Sequence, residues 1–187
     1  MTTRERIVRT AAELFASHGY HATGISEILT ATELSRGAFY YHIDGKETLL
    51  FEICRTEIGK INAVAAKIAL SDAPARDRMR AMARALVRNI SDHHAEWAVF
   101  FSEFGALAGS RRAEILRARE RYESYWSKVL REGTAKAEFA PLSAVHVKGI
   151  LGMLNYTYLW INPAGELTPE QIADTFVDLL LEGIGKS

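Results

Sequence analysis

The chain has 187 residues, of which 48% are hydrophobic and 25% charged, with 23 basic and 23 acidic side chains. This composition is that of an ordinary globular protein and argues against a disordered or low-complexity chain. No apolar run approaches the roughly 20 residues of a membrane span, and the first residues lack the apolar core of a secretion signal. We therefore expect a cytoplasmic protein with no membrane partner. The formal net charge of zero gives no electrostatic support for nucleic-acid binding.

Apolar side chains recur with a period near 3.6 residues along almost the whole chain, which predicts an all-α fold of about nine helices. The first helix is expected to end at Gly19, and a short helix to begin at Thr23 or Gly24. Asp44 is expected to cap a long helix over 44–70. The remaining breaks predict further helices over 74–91, 94–108, 110–133, 142–160 and 168–184.

Two short helical patterns flank a turn at residues 31–34, which is the layout of a helix-turn-helix. The second pattern, over 35–41, begins with Ser35, Arg36, Gly37 and Ala38. Small residues there let a helix approach DNA bases, and an arginine can pair with a guanine edge through two hydrogen bonds. The following side chains divide between core and DNA backbone: Phe39 is expected in the core, Tyr40 and Tyr41 at phosphates or bases, and His42 and Lys46 at the DNA backbone.

A simpler interpretation is a short helical hairpin inside an all-helical protein, with its tyrosines buried. The first 46 residues carry as many acidic as basic side chains, so charge does not separate the two interpretations. DNA binding would have to depend on geometry, with the few cations gathered on one face.

Residues 23–28, 37–42 and 46–49 together resemble the signature of the tetracycline-repressor (TetR) family. The resemblance is close over residues 4–52 and extends to the remainder in length and helicity only. It implies a homodimeric transcriptional regulator, usually a repressor, with a DNA-binding domain over 1–46 and a ligand-binding and dimerisation domain over 47–187. By position, the implied phosphate contacts are Thr23, Ser26, Tyr40 and Lys46, and the implied base contacts are Ser35, Arg36, Gly37, Ala38 and Tyr41.

The chain departs from the family pattern beside these contacts. Glu33 occupies the turn position where a glycine often supplies a left-handed backbone, at a cost of about 1 kcal/mol. Ile43 stands in place of a phenylalanine, and Asp44 and Gly45 in place of a Pro/Ser pair. These changes bear on turn geometry and remove no contact residue.

The middle helices are rich in aromatic side chains, most of which are expected to be ordinary core. With His94, Glu103 and Asn155 nearby, they would also suit an apolar cavity with a few polar anchors. Because the family's ligand lies among these helices, the predicted lining is Met82, Leu86, Trp97, Phe101, Phe104, Tyr122, Trp126 and Asn155. A looser resemblance of residues 125–168 to members that regulate fatty-acid and sterol catabolism implies an acyl-CoA thioester as effector. The effector is expected to be small and largely apolar, and an aromatic compound is the alternative.

The last two helices carry more apolar positions than one helix face buries, which predicts a twofold four-helix dimer interface. Gly149 and Gly152 would permit close approach. The predicted interface residues are Val147, Leu151, Leu154, Tyr158, Phe176 and Leu180. The alternative is a monomer in which these side chains form the core.

The sequence shows no nucleophile–base pair, phosphate loop or paired carboxylates, so neither an enzyme nor a cofactor is expected. His93 and His94 lack metal-ligand spacing and are expected to cap a helix or face solvent. Cys54, the single cysteine, lies in an apolar run and is expected to be a buried, inert thiol. Two alternatives remain: a constitutive DNA-binding protein without effector, and a helical ligand-binding or catalytic domain with a vestigial helix-turn-helix.

Overall fold

The structure is a computed structural model that describes residues 1–184, without the side chains of the last two. Over this range it confirms the all-α prediction, with no strand. Its α-helices are α1 (Thr3–His18), α2 (Ile25–Thr32), α3 (Arg36–His42), α4 (Lys46–Ala69), α5 (Ala75–Asp92), α6 (His94–Glu103), α7 (Gly109–Ala135), α8 (Ala144–Asn155) and α9 (Pro169–Ile184). None of these helices combines the length and the apolar content needed to cross a membrane.

Most predicted helix limits agree with the structure within a few residues, and the exceptions have local causes. The predicted helices 94–108 and 142–160 each end early and continue as short 3-10 turns, Phe104–Ala106 and Tyr156–Leu159. Contrary to the prediction, Asp44 is not the N-cap residue of α4. The helix begins at Lys46, and it is the Gly45 carbonyl that accepts the first helical hydrogen bond, from the Leu49 amide. The start of α9 is confirmed: Thr168 and Gln171 exchange side-chain to backbone hydrogen bonds in a capping box.

Contacts divide the chain into two compact units. The N-terminal unit contains Met1–Ile58 with His94–Arg117, and the C-terminal unit contains Gly59–His93 with the residues from Ala118 onward. This division differs from a single boundary at residue 46, because α6 packs against α1 and joins the helix-turn-helix although it follows α5 in sequence. Helices α4 and α7 each contribute residues to both units.

The N-terminal unit is organised around α1, which contacts α2, α3 and α6. Its buried stripe includes Ile7, Ala11 and Phe15, and Phe15 meets the Tyr20 ring edge-on at 5.2 Å. Burying an apolar side chain of this size stabilises the fold by about 1.5–3 kcal/mol. From α3 the buried Phe39 enters this unit's core, as predicted.

The C-terminal unit is built on α5, which packs against α8 and α9. The apolar face of α5 buries Met79, Met82 and Leu86. Three arginines four residues apart on α5 pair with carboxylates of α9: Arg80 with Asp174 and Asp178, Arg84 with Asp174, and Arg88 with Glu170. Because these pairs are largely exposed, each contributes only about 0–1 kcal/mol, and together they favour one register of α9 along α5.

Candidate nucleic-acid interface and effector-binding helices

The turn between α2 and α3 is held by local hydrogen bonds. Glu33 adopts the left-handed conformation, with φ 55°, as the sequence predicted for this position. The Leu34 amide then donates to the Leu29 carbonyl at 3.1 Å, which closes α2. Ser35 is the N-cap of α3, and its hydroxyl oxygen accepts a hydrogen bond from the Ala38 amide at 3.2 Å. These bonds fix where α3 begins and which side it presents to solvent.

The exposed side of α3 carries most of the predicted base-contact residues. Arg36, Gly37 and Tyr41 are exposed, Tyr41 to 86% of its surface, while Ala38 is partly buried. No acidic side chain among residues 1–184 pairs with Arg36, and no heavy atom would lie within 4 Å of a Cβ at Gly37. This side therefore presents a free guanidinium, two small residues and a phenol, a set suited to a groove of DNA. Tyr40 is also exposed.

Two of the four residues implied as phosphate contacts keep exposed side chains, Ser26 and Tyr40. Thr23 differs, because it is only 1% exposed and its hydroxyl donates to the carbonyls of Gly19, at 2.9 Å, and Leu14, at 3.4 Å. A buried hydroxyl that already donates inside the protein has no access to a phosphate, so its side chain is removed from the expected interface. Its role is to fix the loop that leads into α2.

Lys46 also differs from the expectation of a phosphate contact. Its ammonium donates to the carbonyls of Tyr20 at 2.8 Å, Thr23 at 3.0 Å and His21 at 3.3 Å. It also lies 4.5 Å from the centre of the Tyr20 ring. Since an ammonium has three N–H donors, the loop occupies its full hydrogen-bonding capacity. Lys46 therefore joins the start of α4 to the loop between α1 and α2.

Residues from α6 and α7 stabilise the same unit, and these contacts could not be predicted because the partners lie more than 60 positions apart in the sequence. The Arg111 guanidinium donates to the Thr48 hydroxyl at 3.0 Å and lies 3.5 Å from the Glu47 carboxylate. The Glu103 carboxylate accepts from the Tyr20 amide at 3.3 Å. The helix-turn-helix is thus positioned by side chains far away in sequence.

The predicted effector-lining residues are distributed over the two units. In the N-terminal unit, Trp97 is buried, Phe101 and Phe104 are partly buried, and the Trp97 and Phe101 rings stack at 5.4 Å. In the C-terminal unit, Met82, Leu86, Tyr122 and Trp126 are buried and Asn155 is partly buried. Each placement fits ordinary core as well as a cavity wall, so the lining stays a prediction.

Tyr122 and Trp126 share one buried face of α7, one helical turn apart. Neither the Tyr122 hydroxyl nor the Trp126 indole N–H completes a hydrogen bond within the described residues. Burial raises the pKa of Tyr122 far above its ordinary value, and the Trp126 N–H, which lies near the Tyr122 oxygen without completing a hydrogen bond to it, offsets a smaller part of that rise. A buried polar group without a partner costs about 1–3 kcal/mol. An oxygen acceptor placed between these two donors would recover that cost.

The residues predicted to form a dimer interface divide into two groups. Val147 and Leu154 are 4% and 0% exposed within a single chain, so they are core residues of the C-terminal unit and are not available to a partner. Leu151, Tyr158, Phe176 and Leu180 are partly buried. The exposed stripe of α8 is offset from these residues: it consists of Val145, Gly149 and Gly152 and continues into Tyr156 of the following 3-10 turn. Leu179 is exposed on α9. Val147 and Leu154 are therefore removed from the predicted interface, and the other four residues stay a prediction.

The remaining predicted residues behave as structural elements. His93 is the C-cap residue of α5, and its ring nitrogen lies 3.3 Å from the Asn89 carbonyl, which confirms the capping role. Cys54 is buried, as predicted. Across residues 1–184, no three His, Cys, Asp or Glu side chains come together in a group that could hold a metal ion.

An all-helical chain whose N-terminal unit exposes a short capped helix after a tight turn is a helix-turn-helix DNA-binding protein by class. The pattern of the bacterial regulatory proteins of the tetR family matches residues 7–53. The pattern of the tetracyclin repressor-like C-terminal domain matches residues 72–184. The chain belongs to the TetR family of transcriptional regulators.

Relatives and solved structures agree with this assignment along the whole chain. The transcriptional repressor KstR2 of Mycobacterium tuberculosis is 26% identical over 186 residues, which cover 98% of this chain and 93% of the relative. The structure of that ketosteroid regulator superposes with a TM-score of 0.93, over 100% of this chain and 96% of that one. PfmR of Thermus thermophilus gives 0.90 at 27% identity, over 97% and 100%. AibR, in complex with isovaleryl coenzyme A and operator DNA, gives 0.84 at 28% identity, over 95% and 97%.

Proposed function

We propose that this protein is a repressor that binds a palindromic DNA operator as a homodimer and leaves it when a small, largely apolar effector binds. The observation that carries the proposal is the exposed side of α3, which presents Arg36 and Gly37 directly after the N-cap residue Ser35. The structure of AibR with operator DNA and isovaleryl coenzyme A supports the combination of both ligands in one chain of this fold.

In this proposal α3 enters the major groove and its side chains have separate roles. Arg36 donates two hydrogen bonds to a guanine edge, and Gly37 and Ala38 leave space for a neighbouring base or thymine methyl group. Ser35, at the N-terminal end of α3, contacts the first base, and Tyr41 contacts a further base. Ser26 and Tyr40 donate to phosphates and set the register. Thr23 and Lys46 support the loop between α1 and α2.

The dimer would form through the exposed stripe of α8 together with α9. Gly149 and Gly152 lie on this stripe with no heavy atom within 4 Å of a Cβ built at either position. A second helix could therefore approach the α8 backbone closely. Partly buried Phe176 and exposed Leu179 would extend the apolar area. A twofold dimer would place two α3 helices on half-sites about 34 Å apart, or somewhat more, which is why a palindrome is expected.

The effector would bind among the middle helices, where the neighbouring Tyr122 hydroxyl and Trp126 N–H are buried and complete no hydrogen bond within the described residues. These donors suit a ligand with a carbonyl, carboxylate or thioester oxygen attached to an apolar body, such as an acyl-CoA thioester or an oxygenated aromatic compound. The effector releases DNA only if it binds the DNA-incompetent arrangement more tightly, because differential affinity alone shifts the population. A swing of α4 that changes the separation of the two α3 helices is the proposed link.

The first experiment selects binding sites from random duplex DNA with the purified full-length protein and footprints the selected sequence. The proposal requires protection of an inverted repeat with half-sites about one helical turn apart. Binding without sequence preference would contradict it and favour the ligand-binding or catalytic alternative.

A second experiment adds acyl-CoA thioesters, free fatty acids and steroid acids to the preformed protein–DNA complex. Release by one of them supports an effector, and direct mass-spectrometric detection of the bound molecule identifies it. Specific DNA binding that none of them reverses would favour the constitutive regulator.

A further inference from the structure

A cleft runs between the C-terminal half of α7 and the start of α8, within the C-terminal unit. It encloses about 280 Å³ and is lined by Leu130, Leu142, Ala144 and Val147 together with Ser127, Thr134, Ser143 and Arg131. A second depression of about 370 Å³ shares Ser127 and Arg131 with the cleft. Small-molecule sites have volumes from about 300 Å³, slightly above that of this cleft, and they combine an apolar wall with a few polar groups, as this cleft does.

The charges around the cleft are unequally distributed. Arg131 is its one charged lining residue, and no carboxylate among residues 1–184 pairs with the Arg131 guanidinium. Lys148, in the neighbouring depression, pairs with Glu123 at 2.5 Å, so these two charges offset each other. Glu120 also lines that depression but lies 11 residues before Arg131 on the same helix, about 16 Å along its axis. The cleft end nearest Arg131 is therefore the positive end.

We propose that this cleft binds a small amphipathic acid, with its acidic group at Arg131 and its apolar chain against Leu130, Leu142 and Val147. The guanidinium supplies paired N–H donors that match a carboxylate or a phosphate. The Ser127 hydroxyl, at the junction of the two depressions, is a further donor. Arg131 sets the direction of the ligand, because the other residues that line the cleft are uncharged. The site shares no residue with the proposed effector lining or with the proposed DNA contacts.

The test titrates the purified protein by calorimetry with octanoate and octyl phosphate, which share the apolar chain and differ in the acid. Three matched probes serve as controls. Octanol keeps the apolar chain without a charge, octyltrimethylammonium carries a cation in place of the acid, and acetate keeps the acid without the apolar chain. We expect one of the two acids to bind at least tenfold more tightly than octanol, and acetate to show no binding. The stronger acid identifies the source of the anionic group.

Three variants locate the site. Arg131→Met is expected to weaken acid binding about 10- to 100-fold, the loss typical of a charge-assisted hydrogen bond. Ser127→Phe is expected to abolish it by filling the shared wall. Arg121→Met, at an exposed arginine of α7 that lines neither depression, is the control and should bind as the unmodified protein does.

Equal affinities for octanoate, octyl phosphate and octanol would overturn the proposal, as would no acid binding at millimolar concentration or unchanged binding by Arg131→Met. Operator binding is measured in parallel on every variant. Since Arg131 and Ser127 are outside the DNA-contact set, retained DNA binding with lost acid binding separates this site from the proposed repressor function.

Discussion

The ammonium of Lys46, at the first residue of α4, donates a 2.8 Å hydrogen bond to the carbonyl of Tyr20. Two further bonds reach His21 and Thr23, so the loop between α1 and α2 surrounds a cation contributed from the other side of the helix-turn-helix. The three carbonyl groups that follow α1 gain a partner in this way. Lys46 consequently links the loop between α1 and α2 to the start of α4.

Replacement of Lys46 by Met is expected to destabilise the protein by about 1–3 kcal/mol, because a charge-assisted cluster of hydrogen bonds is lost while the apolar stem remains. Thermal unfolding followed by circular dichroism measures the loss. Lys67→Met, at an exposed lysine of the same helix, is the control and should change stability by less than about 0.5 kcal/mol.

The salt dependence of operator binding separates the structural role of Lys46 from a phosphate contact. Removing a phosphate-binding lysine reduces the slope of log K against log salt by about 1. We expect the slope for Lys46→Met to equal that of the unmodified protein once binding is corrected for the folded fraction. A slope reduced by about 1 would show that Lys46 leaves the loop and binds DNA.

Arg36→Ala is expected to reduce operator affinity by about 1–3 kcal/mol and to relax sequence preference at one base pair in each half-site. Helix α3 should persist because the Ser35 cap and the buried Phe39 are unchanged. Fluorescence anisotropy with the operator and with single-substitution duplexes measures both effects. Arg121→Ala serves as the exposed-arginine control, and full retention of sequence preference by Arg36→Ala would contradict the base contact.

Glu33 tests the left-handed turn through two substitutions of opposite expected sign. Glu33→Gly should stabilise the protein by up to about 1 kcal/mol, because glycine adopts φ near 55° without strain although it gains entropy when unfolded. Glu33→Val should destabilise it by about 1–2 kcal/mol, because a branched Cβ is strongly disfavoured there. Urea unfolding compares them, and equal stabilities would show that the turn relaxes to another conformation.

Glu132 links stability to acid pH. Hydrogen bonds from Lys128, and then from Arg78 at 2.7 Å, lower the pKa of Glu132 to about 2 from an ordinary value of 4.5. A lowered folded-state pKa contributes stability that is complete above pH 4.5 and is lost as pH falls toward 2. Glu132→Gln should therefore lose stability at pH 7 and depend less on pH across this window. Parallel curves for both proteins would contradict the assignment.

Leu179 tests the proposed dimer surface, because it is 61% exposed on α9 and its replacement leaves the interior of the chain unchanged. Leu179→Glu is expected to raise the dimer dissociation constant at least tenfold, measured by sedimentation equilibrium, since an isolated carboxylate would be buried between subunits. Val64→Glu, at an exposed apolar residue of α4, is the control. An unchanged dimer in Leu179→Glu would place the interface elsewhere.

Local chemistry determined the order and the type of the helices. Helical periodicity, the cap residues Ser35 and Thr168, and the left-handed turn at Glu33 act over a few neighbouring positions, so the sequence by itself predicts them. The same reasoning placed Phe39 inside and Arg36 outside, because opposite sides of one short helix cannot both face the core.

Only the tertiary structure decided which side of a helix is buried and which distant residues are in contact. Apolar spacing cannot say which side of α8 meets its own core, and so Val147 and Leu154 were assigned to a partner although they are buried within the chain. Nor can spacing show that Lys46 contacts a loop 23 to 26 residues earlier, or that Arg111 reaches Thr48. These contacts join residues that chain connectivity does not hold together, and their energies depend on distances that exist only after packing.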